Sequence, residues 1–203
     1  LSQLGNPTPY TVQGGKVKAD AWLYNANVTF SPVDKHTIYA SFNQGFQLPD
    51  VGIVIRNATA GFNLASSFLE PVKVDNYELG WKGDFSNFTS SLAVFHSTSD
   101  LGGVQSFNNG LILARTKEKI SGVEATLDYL DDNNVWGSGG SVTWMKGRET
   151  PQNTNVEQDM TGFRIPPLKL TGYISYSPTD TWTNRIQATY FGAQDYRLNG
   201  VNG

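Results

Sequence analysis

The sequence contains no cysteine, no long apolar run and few charged residues. Without cysteine, disulfide frameworks, thiolate zinc sites and cysteine nucleophiles are excluded. No stretch approaches the roughly 18 apolar residues of a membrane-spanning helix, and Leu1–Gly15 lacks the charged start and apolar core of a signal peptide. Charged residues form 16% of the 203 residues, below the roughly 25% of soluble domains. The net charge of −3 and the scattered basic residues indicate no nucleic-acid surface.

The apolar residues that are present alternate with polar ones. Between Asp20 and Ser31, for example, aromatic or aliphatic side chains occupy every second position. Period-two alternation predicts a strand with one face in an apolar medium and the other in water. Eight such strands are expected: Asp20–Ser31, the two arms of Thr37–Phe85, Phe88–Ser97, Lys119–Tyr129, Trp136–Lys146, Lys169–Ser177 and Trp182–Phe191.

Short and long connections alternate between these strands. Short turns are predicted at Ser31–Asp34, Gly83–Asn87, Asp131–Asn134 and Pro178–Asp180, and long loops at Phe46–Pro71, Ser99–Lys117 and Gly147–Pro166. Bulky aromatic residues lie beside the short turns, namely Phe30, Phe85, Phe88, Trp136, Tyr176 and Trp182. An outer-membrane barrel has short turns on one side, long loops on the other and aromatic girdles at the interfaces. The pattern therefore favours a lipid-facing barrel over a soluble β-sandwich.

Several spaced motifs sharpen this interpretation. Residues Tyr39–Pro49 (YASFNQGFQLP) resemble the Y-x-S-(Y/F)-x-x-G-F-x-x-P signature of TonB-dependent outer-membrane receptors. Leu69-Glu70-Pro71 followed by Asp75–Lys82 (DNYELGWK) is similar to another strand of that family. Ile120–Glu124 (ISGVE) and Ile165–Lys169 (IPPLK) resemble later barrel strands of its ferric-siderophore branch.

The resemblance implies a fold and a function. It implies an all-β, antiparallel transmembrane wall segment, about eight strands of a larger, 22-stranded barrel. Residues 1–203 would all be barrel wall, because the plug domain, the TonB-box peptide and the aromatic-ended C-terminal strand of the family are not found here. The implied setting is the outer membrane of a Gram-negative bacterium, with outer-membrane lipid, a ferric siderophore and, through the plug, the TonB complex as partners. The siderophore coordinates the iron, so no protein metal ligand and no covalent cofactor is expected.

Ligand contacts are expected in the long loops. Ferric siderophores are bulky, oxygen-rich and often anionic, and they need aromatic surfaces and guanidinium groups. Candidate residues are Phe46, Arg56, Phe62, Phe107, Arg115, Lys117, Arg148 and Arg164. The alternative for each is a solvated charge or an aromatic residue that anchors its own loop.

Two other function classes remain open at this point. No G-x-S-x-G occurs, so no catalytic residue is assigned. Glu78 and Glu124 could form an acid–base pair, although we favour them as residues that line a wet lumen. The chain could therefore be a small eight-stranded outer-membrane barrel enzyme. A soluble β-sandwich binding module is the third hypothesis.

Overall fold

A computed structural model describes residues 16, 20–47, 72–106, 112–151, 156–160, 162 and 164–194, apart from the side chains of 47, 100–106 and 112–115. Within these residues no helix is long and apolar enough to cross a membrane. The strands of this part of the chain are β1 (Asn25–Phe30), β2 (His36–Gln47), β3 (Val72–Asp84), β4 (Phe88–Ser106), β5 (Ile112–Leu130), β6 (Trp136–Pro151), β7 (Gln158–Asp159), β8 (Lys169–Thr179) and β9 (Trp182–Phe191).

The strands form one antiparallel sheet in chain order. The path runs β1-β2-β3-β4-β5-β6-β8-β9, and the two-residue β7 pairs with the part of β6 that extends past the first residue of β8. The predicted antiparallel wall of about eight strands is confirmed, and β7 is the addition. Among the described strands β1 and β9 each have a single neighbour, so the sheet is open at both edges.

Short turns lie where the sequence predicts them, all at one end of the sheet. In the β5–β6 turn the Asp131 carboxylate accepts hydrogen bonds from the backbone N–H groups of Val135 and Trp136, at 2.6 and 2.8 Å. Asn134 adopts a φ of 57°, which asparagine tolerates better than most residues. We call this end the turn end, and the opposite end the loop end.

Several strands extend farther toward the loop end than the sequence indicates. The segment Ser99–Lys117 was expected to be a loop, but β4 continues to Ser106 and β5 begins at Ile112. Likewise β6 continues to Pro151, into the expected loop from Gly147. Alternation is visible only where one face is apolar. Beyond that region apolar and polar residues no longer alternate regularly, although the backbone pairing continues, so these expected boundaries were wrong.

Strand β1 is shorter than expected. It begins at Asn25 rather than at Asp20. The backbone N–H of Tyr24 donates to the side chain of Gln44 at 3.1 Å, and the Tyr24 carbonyl accepts from the Gln44 backbone at 3.0 Å. The Gln44 side chain therefore takes the place of a backbone acceptor beside Tyr24, and the regular strand begins only at the next residue.

Register aligns the apolar side chains of neighbouring strands into rows. Directly paired residues in an antiparallel sheet lie on the same face. One row contains Phe30, Ile38, Trp81, Leu92, Ala125, Val142, Leu170 and Tyr190. The next contains Val28, Ala40, Leu79, Val94, Val123 and Trp144. We call this side the apolar face; neither row contains a charged residue.

The opposite side, the polar face, is the less exposed of the two. Along β3 the apolar-face residues Tyr77 and Leu79 are 48% and 53% exposed, whereas Glu78 between them is half-buried. A flat single sheet would expose both faces alike. The side chains therefore spread apart on the apolar face and crowd together on the polar face, as in a curved wall whose apolar face is convex.

Large rings cover glycines on the polar face. Tyr39 pairs with Gly80, Phe95 with Gly122, and Tyr173 with Gly139. A Cβ atom at any of these glycines would collide with the ring of its partner. The Tyr39 hydroxyl also donates to Glu78 at 2.6 Å, so the ring is fixed at both ends. Each pair locks the register of two strands.

We expect Gly80→Ala to destabilise the wall by about 1–2 kcal/mol, because overpacking must displace the Tyr39 ring from its hydrogen bond. The matched control is Gly45→Ala on the same face, where an added Cβ would meet no atom within 4 Å. Denaturant titration of the folded protein measures both. A loss of stability in Gly45→Ala equal to that in Gly80→Ala would contradict the packing argument.

Aromatic rings cluster at the turn end of the apolar face. The ring centroids of Trp136 and Tyr176 lie 4.5 Å apart, and those of Phe88 and Tyr129 4.8 Å apart. On β6 the apolar face runs from Trp136 to Trp144, which is about 27 Å along a strand and about 20 Å along the membrane normal after tilt. That height is close to the roughly 25 Å apolar band of outer-membrane barrels.

Candidate functional site

Basic side chains replace apolar ones at the loop end of the apolar face. Beyond the pair Val123–Trp144, the next pairs along β5 and β6 are Ser121–Lys146, Lys119–Arg148 and Lys117–Thr150. The four basic residues Lys117, Lys119, Lys146 and Arg148 form what we call the outer basic cluster. It begins two residues past Trp144 on the same face.

Acidic residues from the segment after β6 pair with this cluster. The Glu157 carboxylate accepts from Arg148 at 2.6 Å and from Lys119 at 2.9 Å. Asp159 lies 3.5 Å from Lys146 Nζ and 3.7 Å from Arg148 Nε. Lys119 and Arg148 are like charges placed directly opposite each other, an arrangement that is unfavourable without an anion. Glu157 supplies that anion.

These contacts favour the ionised form of Glu157. The hydrogen bonds from Arg148, and then from Lys119, hold the pKa of Glu157 below its usual range. Glu157 in turn raises the pKa of Arg148. A lowered carboxyl pKa stabilises the folded form above the unfolded-state pKa, and this contribution is lost as the pH falls through the lower, folded-state pKa. The pairing is therefore complete at neutral pH.

The polar face carries the opposite charge pattern at the same height. Glu118 and Glu149 are directly paired on β5 and β6, and Arg164 bridges them, with Nη1 2.7 Å from Glu149 and Nη2 2.5 Å from Glu118. Gln158 also donates to Glu149 at 2.9 Å. Glu149 is 5% exposed, so its charge needs such partners. We call this trio the Arg164 clamp.

The described residues of the segment 156–168 therefore bind the wall on both faces. Their acidic residues bind the outer basic cluster, and their arginine binds the acidic pair on the polar face. Ile165 is buried and packs where a side chain at Gly147 would collide with it. The side-chain amide of Gln194 donates to the carbonyls of Gly162 and Ile165. The segment is fixed in place at the loop end.

Hydrogen-bonded polar side chains line the middle of the polar face. Tyr173 donates to Asp128 at 2.5 Å, and the Arg185 guanidinium lies 3.6 Å from the centroid of the Tyr173 ring. Together with the Tyr39–Glu78 pair, this surface can bind polar groups through hydrogen bonds and charge. Within the described residues no group of three or more histidine, aspartate or glutamate side chains could hold a metal ion.

The structure does not bring all the predicted ligand residues that it describes into one site. Phe46 lies near the end of β2 opposite Lys73, and Arg115 lies on β5 opposite Gly103 instead of in a loop. Lys117 and Arg148 belong to the outer basic cluster, and Arg164 is on the other face. Arg56, Phe62 and Phe107 lie outside the described residues.

Sequence reasoning missed the carboxylates that pair with these arginines, which are Glu118, Glu149, Glu157 and Asp159. It also missed Lys119 and Lys146, which share Glu157 and Asp159 with Arg148. A signal was present. Lys117-Glu118-Lys119 and Lys146-Gly147-Arg148-Glu149 continue the period of two in charge after it has ended in hydropathy. Read as strands, they place positive charge on one face and negative charge on the other.

Comparison with known proteins agrees with this architecture. The chain is 30% identical over 205 residues to the ferric aerobactin receptor of Klebsiella pneumoniae, covering 93% of this chain and 28% of the receptor. It is 28% identical over 200 residues to the rhizobactin receptor of Rhizobium meliloti (strain 1021), covering 91% and 25%. The chain thus spans about a quarter of the length of these relatives.

A solved structure shares the fold. The copper transporter OprC superposes with a TM-score of 0.66 over 80% of this chain and 25% of its own, at 14% identity. The family described as TonB dependent receptor-like, beta-barrel matches residues 2–203. With its antiparallel strands and its apolar and polar faces, the chain belongs to the TonB-dependent receptor-like β-barrel family.

Proposed function

We propose that the chain is a section of the barrel wall of an outer-membrane receptor that takes up a ferric siderophore. The observation that carries this proposal is the pair of in-register apolar rows, free of charge across six to eight strands, in a chain similar to two siderophore receptors. Such rows suit hydrocarbon, where a central lysine or arginine costs about 2–4 kcal/mol.

Placement in the outer membrane gives each face and each end of the wall a role. The apolar face contacts outer-membrane lipid and the polar face lines the lumen. The turn end faces the periplasm and the loop end faces the outside of a Gram-negative cell. Open edges at β1 and β9 leave backbone groups that lipid cannot satisfy, so further strands complete the barrel. A plug domain would fill the lumen and connect the receptor to the TonB complex.

The proposal concerns transport and not catalysis. The siderophore supplies the iron ligands, and the receptor supplies a surface that recognises the complex. Glu78 accepts a hydrogen bond from Tyr39 and belongs to a fixed lining, which favours a structural role over an acid–base pair with Glu124. All residues 1–203 are assigned to the barrel domain.

Ligand recognition is assigned mainly to the long connections. Arg56 and Phe62, between β2 and β3, and Phe107, between β4 and β5, combine guanidinium and aromatic groups suited to an anionic, oxygen-rich complex. Arg164 already binds two carboxylates, so we propose that it positions its loop. Phe46, Arg115, Lys117 and Arg148 remain secondary candidates.

The test is uptake of radiolabelled ferric siderophore by cells that express the complete receptor. We expect uptake that depends on TonB, and weaker ligand binding by about tenfold in Arg56→Gln/Phe62→Ala, since one charge-assisted hydrogen bond and one aromatic contact are lost. Lys35→Gln, at the turn end, is the control and should bind normally. Uptake without TonB, or no ferric siderophore transported from a panel, would overturn the proposed function.

A further inference from the structure

Both methionines of the chain line one cavity at the loop end. The sequence contains no cysteine and two methionines, Met145 and Met160, so their thioethers are its only sulfur atoms. Met145 lies on β6, and Met160 directly follows β7. The cavity has a volume of about 540 Å³ and lies between β6, the described residues of the segment 156–168 and Gln194. An oxidant that enters it from solution meets two thioethers.

Met160 packs where the segment meets β6. Its backbone N–H donates to the Gly147 carbonyl at 3.0 Å. A Cβ atom added at Gly147 would lie 2.6 Å from Met160 Sδ and 2.5 Å from Cδ1 of Ile165, and Ile165 is 7% exposed. The thioether and the Ile165 side chain thus lie side by side against the bare backbone of Gly147. This apolar contact holds the segment between Asp159 and Arg164, which pair with opposite faces of the wall.

The Met160 thioether is accessible as well as packed. Met160 is half-buried, and its cavity is also lined by Lys146 and Asp159, whose side chains are 47% and 68% exposed. Water and small polar solutes therefore reach the cavity. A peroxide transfers one oxygen atom to a thioether: a lone pair of the sulfur attacks the O–O bond, the sulfur is oxidised to a sulfoxide, and hydrogen peroxide is reduced to water. The sulfoxide is polar and disrupts apolar packing.

We propose that Met160 is an oxidation site whose sulfoxide loosens the segment 156–168 from the wall. The sulfoxide oxygen requires hydrogen-bond donors, which neither the Ile165 side chain nor the Cα of Gly147 supplies. The oxidised side chain therefore turns toward solvent in the cavity, and Ile165 loses the neighbour that covers it. Because Arg164 directly precedes Ile165, the Arg164 clamp weakens as well. Reductases that act on methionine sulfoxide reverse the change.

The test treats the complete receptor in detergent with millimolar hydrogen peroxide and locates the added oxygen by peptide mass spectrometry. Amide hydrogen exchange then measures how firmly the segment is held. We expect exchange in the segment to become about tenfold faster after oxidation, because a buried apolar contact is replaced by a hydrated one. The initial rate should return after treatment with methionine sulfoxide reductases, and exchange in β3 and β4 should not change.

Two matched leucine variants identify the methionine that is responsible. Met160→Leu keeps an apolar side chain of similar volume and should exchange like the untreated wild type with or without peroxide. Met145→Leu, in the same cavity, should respond to peroxide as the wild type does. Met160→Gln, which is polar without oxidation, should speed exchange in untreated protein.

Three results would overturn the proposal. They are a peroxide response that persists in Met160→Leu, oxidation of Met160 without faster exchange, and an unmodified Met160 at a dose that oxidises a free methionine peptide. A weaker affinity of the oxidised receptor for ferric siderophore, by about fivefold, is also expected, and this consequence rests on the proposed function. A receptor that transports no ferric siderophore would overturn the proposed function, whereas the exchange measurements decide the oxidation site by themselves.

Discussion

Leu79→Arg should prevent stable assembly of the receptor in membranes. Leu79 lies in an apolar row between Ala40 and Val94 and is 53% exposed, so its side chain would contact hydrocarbon. An arginine in the middle of a bilayer costs about 2–4 kcal/mol, a large fraction of the 5–15 kcal/mol that typically stabilises a folded protein. The folded fraction after insertion into lipid vesicles, measured by heat-modifiable gel mobility, should fall sharply.

The control is Asn76→Arg on the polar face of the same strand. Asn76 accepts a hydrogen bond from Ser97 at 2.6 Å and donates to the Asn43 carbonyl at 3.4 Å. Losing these bonds is a modest cost, and the new charge would face water in the lumen. Equal insertion yields for the two arginine variants would show that the faces are wrongly assigned.

Arg164→Met should free residues 156–168 from the wall. The substitution leaves Glu118 and Glu149 directly opposite each other without their shared cation, and Glu149 is nearly buried. Breaking a fully buried ion pair costs about 3–5 kcal/mol. Because the Arg164 side chain is 31% exposed, solvent screening reduces the expected loss to about 2–3 kcal/mol. Amide hydrogen exchange in this segment should become faster while exchange in β3 and β4 is unchanged.

Charge repulsion can be separated from lost packing by a second substitution. Arg164→Met/Glu149→Gln removes one of the two facing carboxylates and should recover much of the protection. Arg148→Met, which removes an exposed cation from the other face, should have the smaller effect. If Arg148→Met accelerates exchange as much as Arg164→Met, the clamp on the polar face is not the principal anchor.

The alternation of apolar and polar side chains in the sequence determined the strands of the wall and which of their faces is apolar. Val28, Leu79 and Trp144 each belong to a stretch in which every second residue is apolar. Such a stretch indicates a strand and its apolar face even when no contact between strands is known. Turn residues such as Asp131 and Asn134 act locally, through their own backbone, and so the turn end was predictable as well. Local chemistry sufficed because the strands repeat one pattern, an apolar face opposite a polar face.

Only the tertiary structure decided the loop end. The extension of β4, β5 and β6 depends on hydrogen bonds to neighbouring strands. The alternating charges at Lys117–Lys119 and Lys146–Glu149 indicate strand there but do not show where each strand begins or ends. The role of Arg164 depends on residues 46 and 15 positions away along the chain. Arg148 and Arg164 look alike in sequence, yet they lie on opposite faces of the wall. The register of β5 and β6 and the path of residues 156–168 determine which carboxylates each arginine contacts.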